Sequence, residues 1–267
     1  MHDEALLERI LRTPRHQVPR CAALVGLGED GTPVLLRLDA VRHVLIACPP
    51  AVSALLLRPM ALSLAVWNRQ RHVQLVLIDP TGHVLSPLAA LPHVWGGLCV
   101  RREERHAVLE ALIGLADRRE REGIRWPRMA VFVADDVQAD EPALLHLARR
   151  GGMAGIHLVL AEEAAPSTAI APFAPVQISP AGDAFVLKVR GAFTRFHPLG
   201  IGGTAIRRWS TRLSRRFLSQ RKQSRREEPS REKEPKGAAM RARASRLPRS
   251  VEASPPKPWW WAVGPLG

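Results

Sequence analysis

Two acidic residues stand side by side, Asp135 and Asp136, directly after the apolar run MAVFVA (129–134). Adjacent carboxylates at the end of an apolar run are candidates for acid–base or metal chemistry. The same pair also serves as a helix N-cap or as solvated turn residues. A second stretch has the layout for chemistry: HVLIACPPAVSALLL, from His43 to Leu57, reads as a buried strand, a tight turn and the start of an apolar helix. A phosphate-binding loop has that order, with glycines whose N–H groups wrap the phosphates, then a lysine and a Ser/Thr hydroxyl for Mg²⁺. Here the turn holds Cys48, Pro49 and Pro50, and no Lys-Ser or Lys-Thr follows. A third group, His43, His93 and His157, fits no metal-ligand spacing and reads as core or structural histidine.

Composition bounds what can surround these residues. The 267 residues are 46% hydrophobic, enough for a core of one sizeable domain or two small ones. Three widely spaced cysteines, without a CxxC or a Cys/His cluster, point to a reducing compartment rather than a disulfide framework or a zinc site. The N-terminal stretch is charged and lacks the apolar run of a signal peptide, and the stretch ending at Arg58 is short and proline-broken for a membrane span. The expectation is a cytoplasmic chain without a membrane span. The formal charge of +14 is local: 17 of the 39 Lys/Arg but only 5 of the 25 Asp/Glu lie from Thr204 onward, so residues 1–203 are close to neutral.

The elements that must position the acids and the corner are legible as apolar runs. AALVG (22–26) and TPVLLRL (32–38) flank the turn signal GEDG and predict a β-hairpin. HVLIA (43–47), VQLVLI (73–78), MAVFVA and IHLVLA (156–161) are apolar without alternation, as strands covered on both faces are. Helical patterns lie between them at Ala51–Asn68, Arg101–Glu122 and Pro142–Arg150, with Pro59 expected to bend or restart the first. AFVLKVRG (184–191) predicts a last strand. This alternation is that of an α/β fold in three layers with a mainly parallel sheet. The organisation expected is an N-terminal helical segment (1–20), the α/β body (21–203), and an Arg-rich tail (204–267) with one basic helix, then disordered low complexity ending in WWW.

Four stretches in order carry a family resemblance. VGLGEDGTPVLLRLDAVRHVLIA looks like a hairpin leading into a P-loop strand, and VQLVLIDPTGHVLSPLAALPHV contains Ile78–Pro80 and Leu91–His93. VFVADD looks like a Walker B strand, and ARRGGMAGIHLVLA like the strand that follows. From about Val25 to Ala161 the chain resembles the motor domain of the FtsK/SpoIIIE family of DNA translocases, which are RecA-like P-loop ATPases. The resemblance implies a RecA-like sandwich. It also implies where the catalytic groups should stand. Cys48, Ala51 and Ser53 occupy the three glycine positions, Val52 lies between the last two, Ala54 replaces the lysine and Leu55 the Mg²⁺ hydroxyl. Pro49 and Pro50 have no N–H to donate. Arg58 is the nearest substitute cation, since Lys188 is the single lysine before residue 204. Asp135 matches the Mg²⁺-ordering acid, and Asp136 shortens the Glu beside it by one methylene. AEEAAPS (161–167) replaces the family's Thr-Gln-Arg-Pro, and the trans-acting arginine has no evident counterpart.

These departures predict a degenerate copy with no cofactor, ATP and Mg²⁺ binding only if the corner retains affinity. In the tail, Arg207, Arg208, Arg212, Arg215, Arg216, Arg221, Lys222, Arg225 and Arg226 are the candidate contacts to DNA, non-specific and salt-dependent, with Trp209 and Phe217 available to stack on bases. An arginine-rich tail is alternatively a solubilising extension, and WWW (259–261) a docking peptide or an interfacial anchor. Three functions stay open: a non-hydrolysing DNA-binding or motor-ring partner, a divergent ATPase with Arg58 in place of lysine, and a secretion-type scaffold whose vacated pocket takes a protein.

Overall fold

The computed structural model describes residues 2–134, 141–163 and 169–227. In chain order it contains α1 (His2–Leu11), β1 (Ala22–Gly28), β2 (Pro33–Arg37), α2 (Leu38–Val41), β3 (Val44–Ala47), α3 (Pro50–Trp67), β4 (Val73–Ile78), β5 (Val94–Cys99), α4 (Arg102–Glu122), β6 (Arg128–Ala134), α5 (Glu141–Arg150), β7 (Ile156–Glu162), β8 (Val176–Ala181), β9 (Ala184–Val189), β10 (Ala192–His197) and α6 (Gly203–Glu227). One sheet takes all the described strands in the order β2-β1-β10-β9-β8-β3-β7-β6-β4-β5. From β8 to β5 neighbours are parallel; from β8 to β2 they are antiparallel.

The unbroken apolar runs are explained by two cores, one on each face. Val44 and Ile46 of β3, Leu75 and Leu77 of β4, Phe132 of β6 and Val159 of β7 point to the core shared with α1, α3 and α6. Their alternates Leu45, Val76, Ile78, Val131, Val133, Leu158 and Leu160 point to the core under α4 and α5. A strand with period-two side chains and helices on both sides has to be apolar at every position. The result is a RecA-like three-layer α/β sandwich, as the sequence predicts.

Helix α3 is apolar nearly all round and runs unbroken through Pro59. By length and composition it could cross a membrane, but 67% of it is buried here, as in the core helix of a soluble protein. It packs on β1, where the Leu24 N–H donates to Ser63 Oγ at 2.8 Å. The sequence reading missed β5, β8 and β10. Gly96 and Gly97 interrupt β5, and Pro180 lies in β8.

Helix α6 corrects another expectation. Ala205, Ile206, Trp209 and Leu213 are buried in the core with α3, so Trp209, read as a base-stacking residue, is a core residue at 7% exposure. Ser210 Oγ donates to the Ala90 carbonyl, and Arg208 bridges to Glu4 at 3.0 Å and Glu8 at 2.9 Å on α1. The packed body continues past Gly203.

Candidate functional site: the crevice at the carboxyl ends of the strands

Strand β3 sits between β7 and β8, and the chain leaves it in opposite directions: β4 lies beyond β7 and β6, while β8 lies on the other side. In open α/β sheets a ligand sits at such a reversal, outside the carboxyl ends of the strands. The residues there are the Cys48–Leu55 corner, the ends of β6 and β7, and the loop after β4. Asp135 and Asp136 follow β6 directly but lie outside the described residues, as do residues 164–168.

The corner is held as structure. Cys48 is buried, its N–H donates to the Glu162 carbonyl at 3.0 Å, and burial pushes its thiol up to about 11, so it is neither thiolate nor nucleophile at neutral pH. Pro49 caps α3 and Pro50 is its first residue. The Val52 and Ser53 N–H groups both turn back to the Pro49 carbonyl, at 2.9 and 3.2 Å, so that among the described residues the Ala51 N–H is the one donor at this helix start without a partner. No described residue between Arg42 and Gly82 has positive φ, so the backbone does not form the right- and left-handed nest that cradles phosphate. Ser53 Oγ is buried and donates to the Pro50 carbonyl at 2.8 Å. Ala54 is half-buried, and Leu55 is exposed at 39%, near Gly200.

Arg58 does not stand in for a lysine. Its Nε donates to the Val84 carbonyl at 2.7 Å and its Nη2 to the His83 carbonyl at 2.9 Å. Burial lowers its pKa, with Asp79 opposing. Asp79, of the Ile-Asp-Pro stretch, is wholly buried and organises the same loop. Its Oδ1 accepts from Thr81 Oγ1 (2.7 Å) and the Gly82 N–H (3.0 Å), and its Oδ2 from the Leu85 N–H (2.7 Å). The sequence reading gave Asp79 no role of its own; its signal was an acid ending an apolar strand before Pro-Thr-Gly. Glu162 ends β7 and is buried, and Glu163 is exposed.

The three histidines are structural. His43 Nδ1 accepts from the Leu158 N–H (3.1 Å), His157 Nδ1 donates to the Arg42 carbonyl (3.0 Å), and His93 Nε2 donates to the Asn68 carbonyl (3.1 Å). Burial lowers their pKa values, helped at His43 by His157 and Arg42 and opposed at His93 and His157 by their hydrogen bonds to Asn68 and Arg42, to about 3 for His43 and about 4 for His93 and His157. No cluster of three metal-ligating side chains occurs among the described residues.

The tail arginines divide. Arg207, Arg212, Arg215 and Arg216 lie on the exposed side of α6, Arg212 against the Trp209 ring. Arg208 is occupied by the α1 carboxylates. Arg221, Lys222, Arg225 and Arg226 continue the same helix. Phe217 is half-buried beside Arg15 and Arg216. Clefts of about 420 and 350 Å³ lie away from the corner, one beside β5 and α4, the other beside β1, β2 and β10.

No family model and no curated protein matches the sequence. Solved structures match by fold. EssC (ATPases 2 and 3) from Geobacillus thermodenitrificans aligns with TM-score 0.62 and 14% identity, over 74% of this chain and 50% of that one. Thermomonospora curvata EccC (ATPases 2 and 3), in complex with a signal sequence peptide, aligns with TM-score 0.60 and 22% identity, over 73% and 46%. The pCW3 conjugation coupling protein TcpA with ATPγS aligns with TM-score 0.58 and 13% identity, over 71% and 70%. The chain therefore has the fold of these ATPase domains, the fold that its resemblance to FtsK/SpoIIIE motors implies. It spans between 30% and half of the EccC and EssC chains it matches.

Proposed function

We propose that this chain is a non-hydrolysing RecA-like domain that works as a partner within an FtsK/SpoIIIE-type ATPase assembly, in the cytoplasm, and not as a motor. The observation that carries the reading is the start of α3: two prolines and, among the described residues, one N–H without a partner and no positive φ where phosphate would be cradled. The one nearby cation along the helix is tied to the loop after β4. A triphosphate placed there would meet neither the lysine charge nor the donor nest that offset its desolvation. An apolar, neutral corner suits a protein segment better, and EccC, a protein of the same fold, is seen with a signal sequence peptide. The exposed arginines of α6 support DNA as a further partner of the same assembly, bound without sequence preference.

The test is phosphate release by the full chain from Mg²⁺-ATP, with and without DNA, beside Asp135→Asn. The reading expects no release above background from either protein. Turnover that Asp135→Asn abolishes would make the chain a divergent ATPase.

A further inference from the structure

The opposite end of the sheet, at the amino ends of the parallel strands, carries a different kind of surface. Arg69, Arg71 and His72 lead into β4, and Trp126 and Arg128 lead into β6, with the Arg128 N–H donating to the His72 carbonyl at 2.8 Å. Arg20 joins them through Cys21, whose N–H donates to Asn68 Oδ1. Arg15 reaches in from the 3-10 turn Arg15–Gln17, its Nε donating to the Val66 carbonyl at 2.8 Å, and shares a small cleft with Arg69 and Arg216 of α6.

Two features set this face apart. Several exposed arginines elsewhere on the body are neutralised, Arg37 by Asp39, Arg150 by Asp117 and Glu120, Arg195 by Glu29 and Asp183, Arg208 by Glu4 and Glu8, and what marks this face is that its unpaired arginines stand close enough to act on one another. None of Arg15, Arg20, Arg69, Arg71, Arg128 and Arg216 has a carboxylate partner among the described residues. The charges act on each other instead. Arg15 is lowered to about 10 by burial, then by Arg216 and Arg69. His72 is lowered by burial, then by Arg71, Arg20, Arg69 and Arg15, with no acid in opposition. Guanidinium groups held together without counter-charge in a body close to neutral are a site for a polyanion.

The second feature is Trp126. The ring is 44% exposed, has the Arg128 guanidinium 4.9 Å over it, and meets His72 edge-on at 6.1 Å and 66°. An exposed indole fixed among arginines offers a stacking surface beside phosphate contacts, the combination that binds single-stranded nucleic acid. The cations of this face are all arginines, whose planar fork fits phosphodiester oxygens. Ile124, two residues before Trp126, is exposed as well, which makes an anionic lipid surface the competitor that the test below has to separate.

We propose that this face binds single-stranded nucleic acid, with Arg15, Arg20, Arg69 and Arg71 on the phosphates and Trp126 stacked on a base. The site lies in the folded body, is separate from the arginines beyond α6, and does not depend on whether the crevice takes a nucleotide.

The test is fluorescence anisotropy of the full chain with a labelled 20-nucleotide oligo-dT and a 20-base-pair duplex, over a salt series. Arg69→Gln/Arg71→Gln should weaken oligo-dT binding about tenfold at 0.1 M salt. The slope of log affinity against log salt should become shallower by about 1.4, at roughly 0.7 per phosphate contact on a single strand. Trp126→Ala should weaken oligo-dT by about tenfold and leave the duplex unchanged. Circular dichroism checks that each variant folds; if Trp126→Ala does not, the paired glutamine variant decides by itself. Oligo-dT affinity and salt slope equal to wild type in the glutamine variant would place all binding in the tail and overturn the proposal. So would sedimentation with phosphatidylserine vesicles that the same substitutions abolish while oligo-dT binding stays intact.

Discussion

The carboxyl and amino ends of the parallel strands use their charged groups in opposite ways. At the carboxyl ends, Arg58 is spent on two backbone carbonyls and Asp79 on three donors, Cys48 is a buried thiol, and the helix start is closed by prolines. At the amino ends, six arginines have no carboxylate partner among the described residues, and a tryptophan stands out among them. Where the protein satisfies its own polar groups, the place has become framework. Where it leaves like charges together, it carries a cost that a ligand of opposite charge relieves. Helix α6 joins the two ends. Its start follows Gly200, which lies against Leu55 of the corner, and Arg216 lies against Arg15 and Arg69.

The largest expected effect tests that connection. Ending the chain at Gly203 removes Ala205, Ile206, Trp209 and Leu213 from the core, and the product should not show a cooperative urea transition. Ending it at Glu227 should keep the transition midpoint of the full chain. A stable 1–203 fragment would mean that α6 is an appendage after all.

Acid comes next and acts at the amino ends, where His43, His93 and His157 lie just before or at the start of β3, β5 and β7. Their folded pKa values, about 3, 4 and 4, are below the unfolded value near 6.5. The unfolded chain therefore binds more protons. The stability these residues provide is complete above pH 6.5 and is lost as pH falls toward 4. At its steepest the loss is about 4 kcal/mol per pH unit for three groups together. Urea midpoints measured from pH 7.5 to 4.5 check it; a flat profile would mean that the rings take up protons in the folded state.

The smallest effect sharpens the account of the corner. Arg58→Ala should lower stability by about 1–2 kcal/mol through the loop after β4, with no change in nucleotide affinity. An effect on Mg²⁺-ATP binding with stability intact would return Arg58 to the role of a displaced lysine.

The body was readable where the physics is local. MAVFVA is apolar at every position, and VQLVLI at all but Gln74, because each strand faces two cores, and the strand–turn–helix corner at Cys48 was visible with its prolines. Strand β5 was hidden because Gly96 and Gly97 carry no β signal. The buried side of α6 was hidden by its arginines, which read as a solvated basic helix, although Ile206, Trp209 and Leu213 fall at helical spacing and mark a buried stripe. The arginine face could not be read along the chain at all. Its members come from positions 15, 20, 69, 71, 128 and 216, and only the fold brings them together. The destination of Arg58 was likewise a tertiary fact, since its partners His83 and Val84 lie in the next loop.

The central claim, that the crevice has become framework, is tested most directly by calorimetric titration of the full chain with Mg²⁺-ATP. The account predicts no heat of binding up to millimolar nucleotide. Saturable binding at micromolar concentration, lost in Asp135→Asn, would contradict it and restore the crevice as a nucleotide site.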